Sequence, residues 1–78
     1  MTNKNQYLSL IRRKDVEART GLSRSTIYAR IAAGTFPSPI DLGGGRAVAW
    51  LESDINDWIK QRIFESRRND SGGVDGLY

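Results

Sequence analysis

The feature that most limits the possible folds of this 78-residue chain is the segment Thr20-Gly21-Leu22-Ser23, because it separates two short helical patterns. Gly21 ends the first helix, predicted over about residues 13–20, since glycine accepts the left-handed backbone of a tight exit. Ser23 is a favourable N-cap for the second helix, predicted over about residues 24–33. Two short helices joined in this way predict a helix-turn-helix.

A β-hairpin is predicted after the second helix. Pro37 and Pro39 prevent the helix from continuing past Gly34. Residues 40–42 and 48–50 alternate apolar with small or polar side chains, and the run Gly43-Gly44-Gly45 lies between them. This pattern predicts two short strands joined by a glycine-rich tip.

A third helix is predicted after Ser53, which is expected to be its N-cap, with Asp54 and Asp57 in the first turn. The apolar spacing of this helix predicts one core-facing stripe, made of Ile55, Trp58, Ile59 and Ile63. The predicted order is α-α-β-β-α, a mainly α fold with a small β-hairpin, that is, a winged helix-turn-helix. We expect this domain over residues 8–66, with a flexible N-terminus (1–7) and a disordered tail (67–78).

The chain contains neither cysteine nor histidine. It therefore lacks the thiolate and imidazole ligands of zinc sites and the usual general base, so we expect no metal, no cofactor and no enzymatic activity. The apolar run near residue 8 is too short for a signal peptide or a membrane span. We expect a cytoplasmic protein associated with the nucleoid and not with a membrane.

The charge of the chain is unevenly distributed. Residues 1–50 contain eight basic and three acidic side chains, whereas residues 51–78 contain four basic and six acidic ones. A basic first part is typical of a domain that binds a polyanion such as DNA, although small soluble domains also show uneven charge by chance.

The second helix offers a side that suits a DNA major groove. If Ile27 and Ile31 face the core, Ser25 and Ala29 point away from it, and small side chains there permit close approach. Arg24 lies in the first turn, where recognition helices bring side chains to base edges. It would read a guanine, contact a phosphate or remain a solvated surface arginine.

Nine residues are candidates for DNA contact. They belong to the first helix, the turn and start of the second helix, and the wing: Arg13, Lys14, Arg19, Ser23, Arg24, Ser25, Thr26, Tyr28 and Arg46. Alternatives stay open for several of them. Ser25 and Thr26 are also ordinary helix-start residues, and Tyr28 could lean its ring into the core. Arg30, near the buried edge, suits a structural ion pair as well as DNA.

The run of three glycines and the two tryptophans also have two possible interpretations each. The triple glycine could cradle a phosphate, but the Lys-Ser/Thr of a nucleotide loop does not follow, so a hairpin turn is preferred. Trp50 and Trp58 could stack on single-stranded bases, but a domain this small needs them in its core.

Four parts of the sequence resemble the AlpA family of phage-type regulators, over roughly residues 8–63: residues 20–28, 34–40, 45–50, and 52–55 together with Trp58 and Ile59. This family is similar to the excisionases and to the DNA-binding domain of MerR-type regulators. The resemblance implies a prophage or mobile-element transcriptional regulator that acts on integrase or excision genes. By position, it places Ser23 to Tyr28 in a recognition helix and Arg46 in the wing.

Three functions remain open at this point. The chain could regulate transcription from duplex DNA, or act as an excisionase that bends or coats an attachment site. It could also be a protein-interaction module such as an antirepressor. An integrase or RNA polymerase is a candidate partner for the tail. Because the long dimerisation helix of MerR-type proteins is not evident, we expect a monomer that assembles cooperatively on DNA.

Overall fold

The computed structural model describes residues 8–70. Its elements, in chain order, are β1 (Leu10–Ile11), α1 (Arg13–Thr20), α2 (Arg24–Ala32), β2 (Ile40–Asp41), β3 (Val48–Leu51) and α3 (Glu52–Asp70). Three helices with a small antiparallel hairpin confirm the predicted winged helix-turn-helix. The predicted flexible N-terminus and residues 71–78 of the predicted tail lie outside the described residues.

The turn between α1 and α2 forms as the sequence predicts. Gly21 has φ +77° and its N–H donates to the carbonyl of Glu17, which closes α1. The Ser23 hydroxyl accepts a hydrogen bond from the Thr26 amide at 3.2 Å, which caps α2. Local chemistry therefore determines both the end of α1 and the start of α2.

The C-terminus of α2 is closed around Gly34, which has φ +80°. The Gly34 amide donates to the carbonyl of Ile31 at 3.0 Å, and the Thr35 amide donates to that of Arg30 at 2.9 Å. These two bonds form a Schellman motif, which needs a left-handed residue at this position. The helix itself ends at Ala32, one residue before the predicted end.

The sheet contains a strand that the sequence did not predict. β1 pairs antiparallel with β3, through Leu10 with Leu51 and Ile11 with Trp50, so the strand order is β1-β3-β2. The Glu52 amide also donates to the carbonyl of Ser9 at 2.7 Å. The segment before α1 is thereby fixed to the junction of β3 and α3.

The glycine run is a hairpin tip, as preferred above. All three of its glycines have positive φ, between +77° and +97°. The Leu42 amide donates to the carbonyl of Ala47 at 2.9 Å, and the Gly43 amide donates to an Asp41 carboxylate oxygen at 2.7 Å. This tip joins β2 to β3 and forms the wing, defined here as residues 40–51.

The core lies between the helices and the sheet. Its largest fully buried side chains are those of Val16, Ile27, Trp50 and Ile55, and Ile11 and Phe36 complete the cluster. The Trp50 indole N–H donates to the carbonyl of Pro37 at 3.0 Å. Trp58 is half-buried against this cluster, which agrees with a core role for both tryptophans.

Helix α3 differs from its prediction at both ends. It begins at Glu52, because β3 continues directly into it, so Ser53 is inside the first turn and is not the N-cap, and Asp57 lies beyond that turn. The helix continues to Asp70, past the expected tail start at residue 67. Ile63 is 47% exposed, because α3 extends beyond the sheet that covers its first turns. In the described part of the chain, no helix is both long and apolar enough to cross a membrane.

The left-handed conformation of Gly34 leads to a stability prediction. A Cβ at this position would meet no atom within 4 Å, so any cost of substitution comes from backbone conformation and not from a clash. Gly34→Val should lower the free energy of unfolding by about 1–3 kcal/mol, because β-branched residues resist positive φ. Gly34→Asn is the control and should cost less, since asparagine tolerates this region. Equal denaturant midpoints for the wild type and the valine variant would contradict the cap assignment.

Candidate nucleic-acid interface

Three elements that are distant in sequence converge on one basic groove. The start of α1 contributes Arg12, Arg13 and Lys14, α2 contributes Arg24 and Tyr28, and the wing contributes Arg46 and Val48. The groove has a volume of about 350 Å³ and is called the basic groove below. It brings together five of the nine predicted contact residues, namely Arg13, Lys14, Arg24, Tyr28 and Arg46.

The positive charge of the basic groove is mostly uncompensated. Arg13 forms an ion pair with Glu17 at 3.0 Å along α1. Among the described residues, Arg12, Lys14 and Arg46 form no ion pair, and no acidic side chain lines the groove. Cations gathered in this way repel one another, and an anion in the groove relieves that repulsion.

Arg12 was missed among the candidate contacts, although three consecutive basic residues at a helix start were visible in the sequence. It occupies the N-cap of α1 and makes no side-chain capping hydrogen bond. The first turn of α1 also begins with two cations, which the helix dipole disfavours. An anionic group at this end would satisfy the open amides and the basic side chains together.

Tyr28 joins the basic groove to the core. Its ring meets the Trp50 ring edge to face at a centroid distance of 6.4 Å, yet the residue remains 38% exposed. The Arg24 guanidinium lies 5.9 Å from the centroid of the Tyr28 ring. The Tyr28 ring therefore packs against the core, which was one of its two predicted interpretations. It also positions Arg24 at the edge of the groove.

The outward side of α2 is open to solvent. Ile27 is fully buried and Ile31 is half-buried, whereas Ser25 and Ala29 are exposed. This orientation agrees with the predicted one. The Ser23 hydroxyl donates to Thr26 Oγ1 at 3.0 Å in addition to capping the helix, so both side chains are engaged within the turn.

Two arginines lie away from the basic groove. Arg19 forms an ion pair with Glu52 at 2.8 Å, which links the end of α1 to the start of α3. Arg30 lies 5.9 Å from the centroid of the Trp58 ring, and the structural ion pair considered for it is absent from residues 8–70. The sequence could not predict these partners, because both belong to a distant helix.

The comparisons with known proteins agree with this architecture. Residues 9–63 match the family model described as prophage CP4-57 regulatory protein (AlpA). The chain is 32% identical over 66 residues to a protein of Escherichia coli (strain K12) named DNA-binding transcriptional activator AlpA, covering 77% of this chain and 93% of that protein.

A second relative comes from a phage. The chain is 50% identical over 48 residues to the uncharacterised protein ORF88 of Enterobacteria phage P4, covering 62% of this chain. It spans about half of that relative, 53% of its length. The family match covers most of the winged helix-turn-helix, including α1, α2 and the wing, and it confirms the resemblance drawn from the sequence. The chain belongs to the AlpA family of prophage regulatory proteins.

Proposed function

We propose that this chain binds duplex DNA sequence-specifically and regulates transcription of prophage or mobile-element genes. The observation that carries the proposal is the basic groove, where five cationic side chains from α1, α2 and the wing surround the exposed start of α2. A duplex presents two phosphate backbones on either side of a major groove, which accommodates one helix. A helix flanked by cations on neighbouring elements matches that arrangement.

In this proposal the elements have separate roles. The exposed side of α2, with Ser25 and Ala29, enters the major groove, because its short side chains permit close approach to base edges. Arg12 and Lys14 at the start of α1 bind backbone phosphates, and Arg46 binds phosphate from the wing. Arg24, held against Tyr28, is the candidate for direct base contact.

The remaining predicted contacts are assigned smaller roles. Ser23 and Thr26 are engaged with each other in the helix cap, so their contribution to DNA binding is the position of α2. Arg19 could contact phosphate only in competition with its ion pair to Glu52. We therefore expect Arg19 to contribute more to the link between α1 and α3 than to DNA affinity.

We propose gene regulation and not catalysis as the activity, with a cytoplasmic location and no cofactor. Control of integrase or excision genes is the finer proposal that follows from the prophage family. Regulation is preferred to an excisionase role because the E. coli relative is named a transcriptional activator. A reporter assay in cells without integrase separates the two, because a regulator changes promoter output there and an excisionase does not.

Salt dependence tests the electrostatic part of the proposal. Because three to five phosphates would be neutralised by the basic groove, the logarithm of the DNA association constant should fall linearly with log salt, with a slope of about −3 to −5. Fluorescence anisotropy with a duplex selected from a random library would measure it. Affinity that does not change between about 50 and 200 mM salt would contradict a phosphate-binding groove.

Two arginine variants separate phosphate contact from base contact. Arg46→Ala should weaken binding to all duplexes alike and reduce the salt slope by about 1, whereas Arg24→Ala should also relax base preference by about 1–3 kcal/mol. On a duplex that holds a single copy of the protein, Arg62→Ala removes the same charge from α3, outside the basic groove, and is the matched control. If Arg62→Ala weakens binding as much as Arg46→Ala does, only net charge matters and the proposed interface is wrong.

A further inference from the structure

A second, larger groove lies between the end of α2 and helix α3. It has a volume of about 830 Å³ and shares no lining residue with the basic groove. Phe36, Pro37 and Trp58 supply its apolar surface, and Asp54 and Asp57 lie on the α3 side. We call it the α3 groove. Because the two grooves are separate, a ligand in one does not displace a ligand in the other.

The charges around the α3 groove indicate what it can bind. The two cations that line it, Arg30 and Arg62, lie 5.9 and 5.8 Å from the centroid of the Trp58 ring. Among the described residues, no ion pair or side-chain hydrogen bond engages the carboxylates of Asp54 and Asp57. The two carboxylates balance the charge of the two arginines, so the groove has no net positive charge to attract nucleic acid, and on the α3 side the carboxylates attract basic side chains. The groove therefore suits an apolar side chain that has basic residues beside it in its own protein.

The far end of α3 presents such a group. Phe64 is 56% exposed, and the Arg68 guanidinium lies 5.6 Å from the centroid of its ring. Lys60 and Arg67, four residues before and three after Phe64, lie on the same side of the helix. Phe64 follows Trp58 by about 9 Å along the helix axis. It cannot turn back into the groove of its own chain, because both residues belong to one continuous helix.

We propose that the α3 groove binds Phe64 of a second copy of this chain. In that contact the Phe64 ring packs on Trp58, Phe36 and Pro37, and Arg67, which lies nearer the end of α3, faces Asp54 and Asp57. Helix α3 is acidic in its first turns and basic in its last turn. Two antiparallel copies therefore satisfy both grooves at once, which is the geometry of a two-fold symmetric dimer.

The size of the contact predicts a weak association. Each phenylalanine buries at most about 150–250 Å², so the two groove contacts stay below the area of a stable interface. The chain is then largely monomeric when dilute and pairs at high local concentration. Adjacent sites on one duplex supply that concentration and make binding cooperative, a consequence that rests on the proposed function.

The test uses the full chain without DNA, so its result does not depend on the proposed function. Indole N–H signals in ¹⁵N-correlated NMR spectra are followed as the protein concentration rises. The Trp58 signal should shift, whereas that of Trp50, which is fully buried, should not. Phe64→Ala should abolish the shift. Ile63→Ala, at an exposed position on a neighbouring side of α3, is the control and should preserve it.

A charge-reversal pair tests the ionic part of the contact. Asp57→Lys and Arg67→Glu should each weaken self-association, and an equimolar mixture of the two should restore much of it, because opposite charges then meet across the dimer. Three results would overturn the proposal. The first is a Trp58 signal that does not depend on protein concentration. The second is the same behaviour of Phe64→Ala and Ile63→Ala. The third is a Trp58 signal that changes only when residues 71–78 are deleted, because that result assigns the groove to the chain's own tail.

Discussion

The burial of Ile27 against the cluster that contains Trp50 determines the orientation of the rest of the surface. Ile27 is fully buried, so the opposite side of α2 must face solvent. Trp50 belongs to the wing and also packs against Tyr28. One hydrophobic contact therefore fixes the rotation of α2 about its axis and the position of the wing beside it. The basic groove exists because these two elements meet there.

Electrostatic repulsion among the cations of the basic groove lowers the stability of the folded chain. Basic residues occupy the N-cap of α1 and its first two positions, where the helix dipole favours anions, and Arg46 reaches the same groove from the wing. Of the five cations that line the basic groove, only Arg13 forms an ion pair within the described residues, with Glu17. Arg19, by contrast, is paired with Glu52 and links the end of α1 to the start of α3. Arg12, Lys14 and Arg46 therefore remain available to an anion, whereas Arg19 is engaged within the fold.

Local sequence signals predicted much of this fold, whereas the features that depend on contacts between residues distant in sequence were not predicted. Gly21, Ser23 and Gly34 fixed the ends of α1 and α2 to within a residue, because caps depend on neighbouring atoms. A two-residue strand such as β1 has no periodicity to detect, and it forms only because β3 is available to pair with it. Ser53 was a reasonable cap in isolation, but β3 continues into α3 without a turn.

The same distinction holds for the candidate site. The outward side of α2 follows from helical periodicity alone, whereas the meeting of Arg46 with the start of α1 needs the tertiary fold.

The most direct test of the proposed interface is an NMR titration of the labelled chain with a duplex selected from a random library. Amide shifts should concentrate at residues 12–14, 24–29 and 46. Shifts centred on α3, with those residues unchanged, would contradict the proposed interface.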